Sequence, residues 1–313
     1  MRDECRDLGD LPASADVSLL VYHLSIGLPI VSEQMRSRTE PLAVAYHNIT
    51  PERFYDDHEP AFAADLRLGR EDLEHFATQS ILSLADSEYN ARDLRGAGHR
   101  RVEVVPAGLR VDRLVAEDSV PSIILETGRR FPNGYVVAVG QILPHKRIEQ
   151  LIEAVHLLNS THWLNVGLVV CGVARQAGYF ETLHRFRTRT AMVDVLFTGP
   201  VSDRELATYV RGSCAFLGMS DHEGLCIPPL EAAALGVPVV IKGAAAVPET
   251  MGGAGLVLPA DAGPCEASEA LALVLGTDEV RWNLIDSGYQ RAAEFADSAP
   301  IERSAALLMG ALG

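Results

Sequence analysis

Residues 220–255 read SDHEGLCIPPLEAAALGVPVVIKGAAAVPETMGGAG and join a predicted strand to a helix, a further strand and a Gly-rich turn. An apolar run at 214–218 precedes the segment. Pro228 and Pro229 fit the first turn of a helix, where a missing N–H is harmless. The apolar run at 237–241 predicts the next strand. This succession of strand, loop, helix and strand predicts the parallel sheet of an α/β protein.

The same segment carries two carboxylates, Glu223 and Glu231, eight residues apart. We place Glu223 in the loop after the strand and Glu231 just inside the helix. Gly224 lets the backbone approach a ligand closely, and the N–H groups and positive dipole at a helix start bind anions. The segment therefore combines an anion site with carboxylates suited to the hydroxyls of a sugar and a ribose. Taken alone, the two glutamates would also fit a solvated loop acid and a helix-start acid.

Outside this segment, short apolar runs alternate with amphipathic stretches, which is typical of α/β proteins. In the second half the runs predict strands at 135–140, 164–171, 193–198, 214–218, 237–241 and 255–258. The stretches between and after them predict helices at 147–158, 176–190, 202–212, 228–235, 266–275 and 279–295. In the first half we predict strands at 17–23, 42–46, 81–85 and 102–105, with a long helix at 69–79.

These elements divide the chain into a complete doubly wound second half and a thinner first half. We predict an N-terminal domain at 1–118, a linker at 119–134, a C-terminal domain at 135–295 and a tail or helix at 296–313. A first strand followed by a Gly-rich turn, the usual nucleotide-binding opening of a doubly wound domain, is missing from the first half. The N-terminal domain is therefore expected to be incomplete.

Charge and composition exclude several functional classes. The 313 residues include 27 basic and 42 acidic side chains, for a formal net charge of −15. A nucleic-acid-binding protein would show a basic surface, so that class is excluded, and membrane association is at most peripheral. No apolar run is long enough to cross a bilayer, the N-terminus has no signal-peptide core, and the five cysteines form no C-x-x-C pair. We therefore predict a cytoplasmic protein.

Several linked motifs resemble one known family. The order Ser220, Glu223-Gly224, Pro228, Glu231-Ala232 and Gly236-Val237-Pro238-Val239 is similar to the E-x7-E region of retaining GT-B glycosyltransferases of the GT4 type, also called glycosyltransferase group 1. The stretch VVAVGQILPHKRIEQLIEA at 136–154 resembles the first strand and helix of that family's C-terminal domain. YHNITPERFY at 46–55, LADSEYNARDL at 84–94 and VEVVPAGLRVD at 102–112 resemble the later part of its acceptor domain.

This resemblance implies a GT-B architecture of two Rossmann-like doubly wound domains with an intervening cleft. It implies transfer of a sugar from a nucleotide-diphosphate sugar to a glycan, lipid-linked or small-molecule acceptor, with retention of anomeric configuration. No metal or other cofactor is expected. The pathway would be the synthesis of a polysaccharide, another glycan or a natural product.

The resemblance also implies roles for individual residues. Glu223 would contact the donor sugar near its reacting face, and His47 would lie beside that sugar from the acceptor domain. Lys146 would neutralise the diphosphate, and Glu231 would hold the ribose hydroxyls. The implied donor-binding residues are Gly140, Lys146, Arg147, Gly224, Leu225 and Glu231.

Two departures from the family pattern bear on activity. The family usually places a phosphate-binding Arg where this chain has Gln141, with Arg147 as the neighbouring cation that could compensate. The resemblance also implies that roughly the first 80 to 90 residues of a usual member are absent, in keeping with the short first half.

Two alternatives remain open from the sequence. One is a truncated relative that binds a nucleotide sugar without transferring it, and the other is a GT-B nucleotide-sugar epimerase. The epimerase would act without an acceptor and would need further acid and base residues.

Overall fold

A computed structural model describes residues 13, 18–109, 111–190, 193–296 and 299–312. The strands are β1 (Leu20–Leu24), β2 (Leu42–Tyr46), β3 (Ser80–Ala85), β4 (Val102–Val104), β5 (Tyr135–Val139), β6 (Gly167–Cys171), β7 (Val195–Gly199), β8 (Ala215–Gly218), β9 (Val239–Lys242) and β10 (Leu256–Leu258). The helices are α1 (Pro29–Arg36), α2 (Pro60–Phe76), α3 (Glu88–Gly96), α4 (Val111–Val115), α5 (Pro121–Arg130), α6 (Ile148–His162), α7 (Ala177–Thr190), α8 (Asp203–Arg211), α9 (Ile227–Ala234), α10 (Val247–Met251), α11 (Pro264–Gly276), α12 (Asp278–Ala296) and α13 (Pro300–Leu312).

The chain divides into two compact units. The first falls within residues 1–107 and 299–313, and the second covers 108–298. The predicted linker at 119–134 contains helix α5, and the amide of Val120 donates to Thr208 Oγ1 in α8 at 2.9 Å. The predicted C-terminal tail contains α13, which packs on β3 of the first unit.

The first unit is built on a parallel sheet with the sequential order β1-β2-β3-β4. All five residues of β2 are buried, as expected for a parallel strand covered on both faces. Leu66, Leu73 and Phe76 of α2 cover one face, and Leu307 and Leu308 of α13 pack against the other. Among the described residues, the strand order of this sheet does not reverse, whereas the sequence led us to expect a doubly wound order in both domains.

A buried carboxylate joins α1 to α2 in the first unit. Asp72 is inaccessible to solvent, accepts a hydrogen bond from Ser32 Oγ at 2.5 Å and pairs with the Arg36 guanidinium at 2.7 Å. Gly27 lies just before α1, and Gly69 lies in α2. The two glycines allow these backbones to approach closely, because a β-carbon on Gly27 would lie 2.3 Å from the Gly69 nitrogen. These contacts fix the position of α1 beyond the carboxyl end of β1.

The second unit has a parallel six-stranded sheet with the order β10-β9-β8-β5-β6-β7. The order reverses between β5 and β8, which is the arrangement of a doubly wound fold. Ligands of such folds bind beyond the carboxyl ends of the strands where the order reverses. A ligand site is therefore expected at the residues that follow β5 and β8.

The ten predicted strands are confirmed with small shifts of their ends. The long helix predicted at 69–79 begins earlier, at Pro60, because Pro is favoured at the first helical position. Five further helices, α1, α3, α4, α5 and α10, were not predicted. Within the described ranges, no helix combines the length and the apolar character that a bilayer span requires.

Candidate functional site

A pocket in the second unit opens at the carboxyl ends of β5 and β8. Gly140 and Gln141 directly follow β5, Ser220 and Glu223 follow β8, and Lys146 ends a short 3-10 turn before α6. The polar and loop residues of its lining are Gly140, Gln141, Lys146, Met219, Ser220, Glu223 and Cys226, and Pro228 of α9 also lines it. The strand-order reversal thus brings together residues up to 88 positions apart, from Gly140 to Pro228.

Lys146 and Glu223 form a close ion pair in this pocket. The Lys146 Nζ to Glu223 Oε1 distance is 2.5 Å, and the two side chains are 21% and 10% exposed. Burial lowers the pKa of Lys146 and the neighbouring Glu223 carboxylate raises it, and the net pKa is raised. Burial raises the pKa of Glu223, but the Lys146 ammonium together with the Ser220 hydrogen bond and His145 lowers it more, so the net pKa is lowered. Both groups are therefore charged near neutral pH.

Two further side chains hold the Glu223 carboxylate. Ser220 makes a hydrogen bond to Glu223, and the Cys226 thiol makes another. Burial, followed by the Glu223 charge, raises the pKa of Cys226 well above its usual value, so the thiol stays protonated. Cys226 has a φ of 67°, in the left-handed region that non-Gly residues seldom adopt. That backbone conformation directs the chain from the Glu223 loop into α9.

A second ionic cluster fixes the same loop. Asp221 accepts hydrogen bonds from Arg147 Nε at 2.5 Å and from Lys242 Nζ at 2.6 Å. Burial raises the pKa of Asp221, while the two cations lower it more and leave it below its usual range. The Asp221 amide also donates to the His145 carbonyl at 2.8 Å, which ties the loop to the turn that carries Lys146.

His145 lies buried beside the pocket in the uncharged form. Burial, then the nearby Lys146 charge, lowers the pKa of His145 to about 3. An imidazole with this pKa stays uncharged at neutral pH. His145 therefore contributes shape and hydrogen bonding to the turn.

Glu231 lies in the middle of α9 and is 16% exposed. Its carboxylate lies 3.8 Å from Arg113 Nη2. Burial raises the pKa of Glu231, Arg113 opposes this shift, and the net pKa is raised. The pKa of Glu231 is thus shifted upward, whereas that of Glu223 is shifted downward.

The start of α9 differs from the expected anion site. The helix begins at Ile227, so Pro228 and Pro229 occupy its second and third positions and have no N–H to donate. Backbone donors for an anion must therefore come chiefly from the preceding loop, where Gly224 and Leu225 lie. Thr250 Oγ1 donates to the Leu225 carbonyl, which anchors that loop to α10.

His47 lies in the first unit, directly after β2. Its Nδ1 is 2.9 Å from Asp86 Oδ2, and its Nε2 is 2.8 Å from His23 Nδ1. The hydrogen bond with Asp86 raises the pKa of His47 in spite of partial burial. Burial and the neighbouring His47 lower the pKa of His23.

The structure brings together some of the predicted site residues. Gly140, Lys146 and Glu223 line one pocket. Four other predicted residues are not among its described lining residues: Arg147, Gly224, Leu225 and Glu231. Sequence reasoning missed Asp221, Cys226 and Lys242. The signal for Lys242 was present, because it is one of only two lysines in the chain, and each of them pairs with a carboxylate of the loop after β8. In the part of the chain that the structure describes, His, Cys, Asp and Glu side chains do not gather into a metal-binding group of three.

Comparison with known proteins identifies the family. The profile described as "Glycosyl transferases group 1" matches residues 127–291, more than half of the 313 residues. The chain therefore belongs to the glycosyl transferases group 1 family. The matched region contains the whole pocket lining, from Ala138 to Ile241.

Curated relatives match only over parts of their length. The chain is similar to O-antigen chain mannosyltransferase B from Escherichia coli, at 32% identity over 125 residues that cover 40% of this chain and 32% of that protein. It is also similar to a GDP-mannose-dependent alpha-mannosyltransferase from Mycobacterium tuberculosis (strain CDC 1551 / Oshkosh), at 28% identity over 172 residues, 54% of this chain and 40% of that protein. The chain thus spans less than half the length of both relatives.

Solved structures share the fold. The structure of Anabaena HepE in complex with UDP and glucose superposes with a TM-score of 0.70 at 20% identity, covering 90% of this chain and 74% of that chain. At this identity the likeness shows the fold alone. The α/β GT-B fold expected from the sequence is confirmed.

Proposed function

We propose that this protein transfers a sugar from a nucleotide-diphosphate sugar to an acceptor hydroxyl, with retention of anomeric configuration. The observation that carries the proposal is the Lys146–Glu223 ion pair in a pocket at the strand-order reversal, within the region that matches the family. Membership of the family supports glycosyl transfer. The pocket supplies a cation for the diphosphate of such a donor and an anion for the hydroxyls of its sugar.

The diphosphate would bind to Lys146 and the backbone around it. The Lys146 ammonium has three N–H donors, so it can keep its bond to Glu223 and still donate to a phosphate oxygen. Gly140 has a φ of 144°, and a β-carbon on it would meet no atom within 4 Å, which leaves room for close approach of a ligand. Gln141 would offer a neutral amide in place of an Arg, which weakens donor binding by on the order of 1.5–3 kcal/mol relative to a charge-assisted pair.

The sugar would be held by the Glu223 carboxylate. Lys146, Ser220 and Cys226 fix this carboxylate in its charged state, and a carboxylate accepts hydrogen bonds from sugar hydroxyls. As the bond to the anomeric carbon breaks, negative charge grows on the leaving diphosphate, and Lys146 is positioned to stabilise it. Glu231, which Arg113 partly neutralises, would accept the ribose hydroxyls.

The comparisons suggest which donors to test first. One relative is named as GDP-mannose-dependent, and one similar structure contains UDP and glucose. GDP-mannose and UDP-glucose therefore open the donor panel. Transfer is expected to persist in EDTA, because the proposed charge stabilisation relies on Lys146 and backbone amides.

The test is the replacement of Glu223. Glu223→Ala and the isosteric Glu223→Gln are expected to lower transfer at least about 100-fold, because the charged acceptor of the sugar hydroxyls is lost. Glu181→Ala is the matched control, since that carboxylate is 70% exposed on α7 and outside the pocket. Transfer at the wild-type rate by Glu223→Gln would contradict the assigned role.

The same transfer assays also test the stereochemistry and distinguish a transferase from an epimerase or a binding protein. Proton NMR of the first product should show the anomeric configuration of the donor, and the inverted anomer would contradict retention. Conversion of the donor sugar without an acceptor would indicate an epimerase. Donor binding with no turnover on any acceptor would indicate a binding protein related to the transferases.

A further inference from the structure

A second pocket of the second unit lies at the amino ends of the strands. Its volume is about 400 Å³, and Leu275 of α11 and Ile285 of α12 help to line it. Other lining residues come just before strands β5, β6, β8 and β9, respectively: Asn133, Val166, Cys214 and Pro238. Because all six strands run parallel, their amino ends share one edge of the sheet, and Lys146 lies at the opposite edge. This pocket is therefore separate from the donor pocket.

Three exposed aromatic side chains lie at the margin of this pocket, and we call them the aromatic rim: Trp163, Trp282 and Tyr289. Trp163 directly precedes the lining residue Leu164, and Trp282 directly follows the lining residue Arg281. Trp163 is 81% exposed and Trp282 is 62% exposed. They are the only two tryptophans in the chain. Both of the largest side chain type thus stand in water beside one pocket.

Trp282 and Tyr289 share one face of α12, because they are seven residues apart, about two helical turns. The Arg281 guanidinium lies 5.9 Å from the centre of the Trp282 ring. A β-carbon on Gly236, which also lines the pocket, would lie 2.3 Å from the Tyr289 hydroxyl oxygen. The helix therefore presents aromatic surface along one side of the pocket.

Trp163 combines two features that do not favour folding. Its φ is 57°, in the left-handed region where a residue that follows a helix is usually Gly or Asn. Its exposure leaves most of the apolar ring in water. A glycine at this position would relieve both, so the stability of the fold does not explain a tryptophan here. A ligand that covers the ring would explain it.

The backbone that carries Trp163 is held in place. The Trp163 amide donates to the Asn159 carbonyl at 3.1 Å. Asn159 Nδ2 donates to the Val166 carbonyl at 2.9 Å, and the Val166 amide donates to Asn159 Oδ1 at 3.0 Å. One side chain thus satisfies both backbone groups of Val166 and closes the loop between them. A loop held in this way loses little entropy when a ligand covers the ring.

The polar groups of the pocket suit an uncharged hydroxyl compound. Arg281 pairs with Asp278 at 2.7 Å, so its charge is balanced, and the guanidinium has further N–H donors for hydroxyl oxygens. Ser213 Oγ donates to the Val210 carbonyl at 2.7 Å and keeps its lone pairs as acceptors. The Asn133 amide offers both a donor and an acceptor. Donors and acceptors of this kind match the hydroxyls of a sugar.

We propose that this pocket and its aromatic rim bind a neutral saccharide. The apolar C–H face of a pyranose ring packs on an aromatic face, while its hydroxyls bond to polar groups in the pocket. The volume of about 400 Å³ lies in the range of small-molecule sites, roughly 300–1,000 Å³. The site goes beyond the proposed transfer and does not rest on it, because it binds a glycan at the opposite edge of the sheet without reacting with it.

The surface between the rings favours a sugar over a protein partner. Asp286 lies on α12 between Trp282 and Tyr289, and Asp278 is 81% exposed at the start of the same helix. The core of a protein interface is depleted of such charges. A saccharide leaves them in water, since it needs only the ring faces and the polar groups of the pocket.

The two tryptophans supply the signal for the first test. Neutral oligosaccharides of mannose, glucose, galactose or N-acetylglucosamine are titrated into the full chain without any nucleotide. Tryptophan emission and its quenching by acrylamide are measured. At least one oligosaccharide should shift the emission to shorter wavelength and protect it from acrylamide. An unchanged signal with all of them at millimolar concentration would overturn the proposal.

Calorimetric titration of rim variants then locates the site. Trp163→Ala and Trp282→Ala should each weaken oligosaccharide binding about tenfold, and Trp163→Phe should recover most of the affinity because it restores a ring. Leu125→Ala is the control, since that side chain is 60% exposed on α5 of the same unit and outside the pocket. Wild-type affinity in both alanine variants would place the sugar elsewhere and overturn the site.

Two further measurements separate the proposal from its neighbours. GDP-mannose or UDP-glucose should raise the Tm of Trp163→Ala as much as that of the wild type. If neither compound binds while oligosaccharides still do, the proposed donor site is refuted and the saccharide site stands. Self-association of the wild type that Trp163→Ala abolishes, without oligosaccharide binding, would assign the aromatic rim to an interface between copies of the chain and overturn the saccharide site.

Discussion

The two units place different chemistry at the ends of their parallel strands. In the second unit, ion pairs surround the pocket: Lys146 with Glu223, and Asp221 with Arg147 and Lys242. In the first unit, two imidazoles and one carboxylate form a hydrogen-bonded chain. The ion pairs keep their charge near neutral pH, whereas imidazoles change charge in that range.

The contrast is one of fixed against titratable charge. Fixed and well-oriented charges suit the binding of a diphosphate and the stabilisation of the negative charge that would grow on it as it leaves. Imidazoles instead gain and release a proton in the neutral range. The family match covers the charged pocket of the second unit and not the imidazole chain of the first.

The largest effect on the charged pocket is expected from Gly172→Ala. A β-carbon on Gly172 would lie 1.8 Å from the Gly140 carbonyl oxygen, so Gly140 must move. We expect a loss of about 1–3 kcal/mol of stability together with loss of donor binding. Gly178→Ala is the matched control, because its β-carbon would meet no atom within 4 Å.

The two variants are compared by urea denaturation and by donor titration. Gly178→Ala should change the free energy of unfolding by less than about 1 kcal/mol and leave donor binding unchanged. Unaltered donor affinity in Gly172→Ala would show that the position of Gly140 does not matter for the pocket.

A smaller effect is expected on the pH dependence of stability, where His145 of the second unit and His47 of the first unit act in opposite directions. The folded pKa of His145 is about 3, below its ordinary value of 6.5, so between these pH values the unfolded chain binds a proton that the folded chain does not. Stability therefore falls as pH is lowered through this range. The raised pKa of His47 acts in the opposite sense: its stabilisation is full below the unfolded pKa and is lost as pH rises through the folded pKa.

These opposite pH dependences are tested by measuring the free energy of unfolding between pH 4 and pH 8 for the wild type, His145→Gln and His47→Gln. Relative to the wild type, His145→Gln should lose less stability at acid pH, and His47→Gln should lose more. Parallel curves for all three proteins would mean that neither imidazole has a shifted pKa.

The strands and the charged pocket could largely be predicted from the sequence. Runs such as LAVAY at 42–46 are apolar throughout, and the linked motifs around Glu223 lie within a short segment. The polar helix α3 was missed because it has few apolar residues, although Ser87 caps it by accepting a hydrogen bond from the Asn90 amide. A Ser just before a polar stretch was the available signal.

The imidazole chain could not be predicted, because it depends on strand register. His23 and His47 are 24 residues apart and Asp86 follows 39 residues later. A parallel register shifted by one residue would turn side chains to the opposite face. The Asp221–Lys242 pair likewise depends on how the loop after β8 meets the end of β9. Neither arrangement leaves a local pattern in the sequence.

The central claim is that the Lys146–Glu223 pocket binds a nucleotide-diphosphate sugar. A thermal-shift panel of nucleotide-diphosphate sugars tests it on the wild type, on Lys146→Met and on the double variant Lys146→Met/Glu223→Gln, which leaves no unpaired buried charge. We predict that at least one compound raises the Tm of the wild type, by an amount equivalent to about 2.7 kcal/mol at 100 times Kd, and that neither variant responds at the same concentration. A panel without any response from the wild type, or an equal response from the variants, would contradict the account.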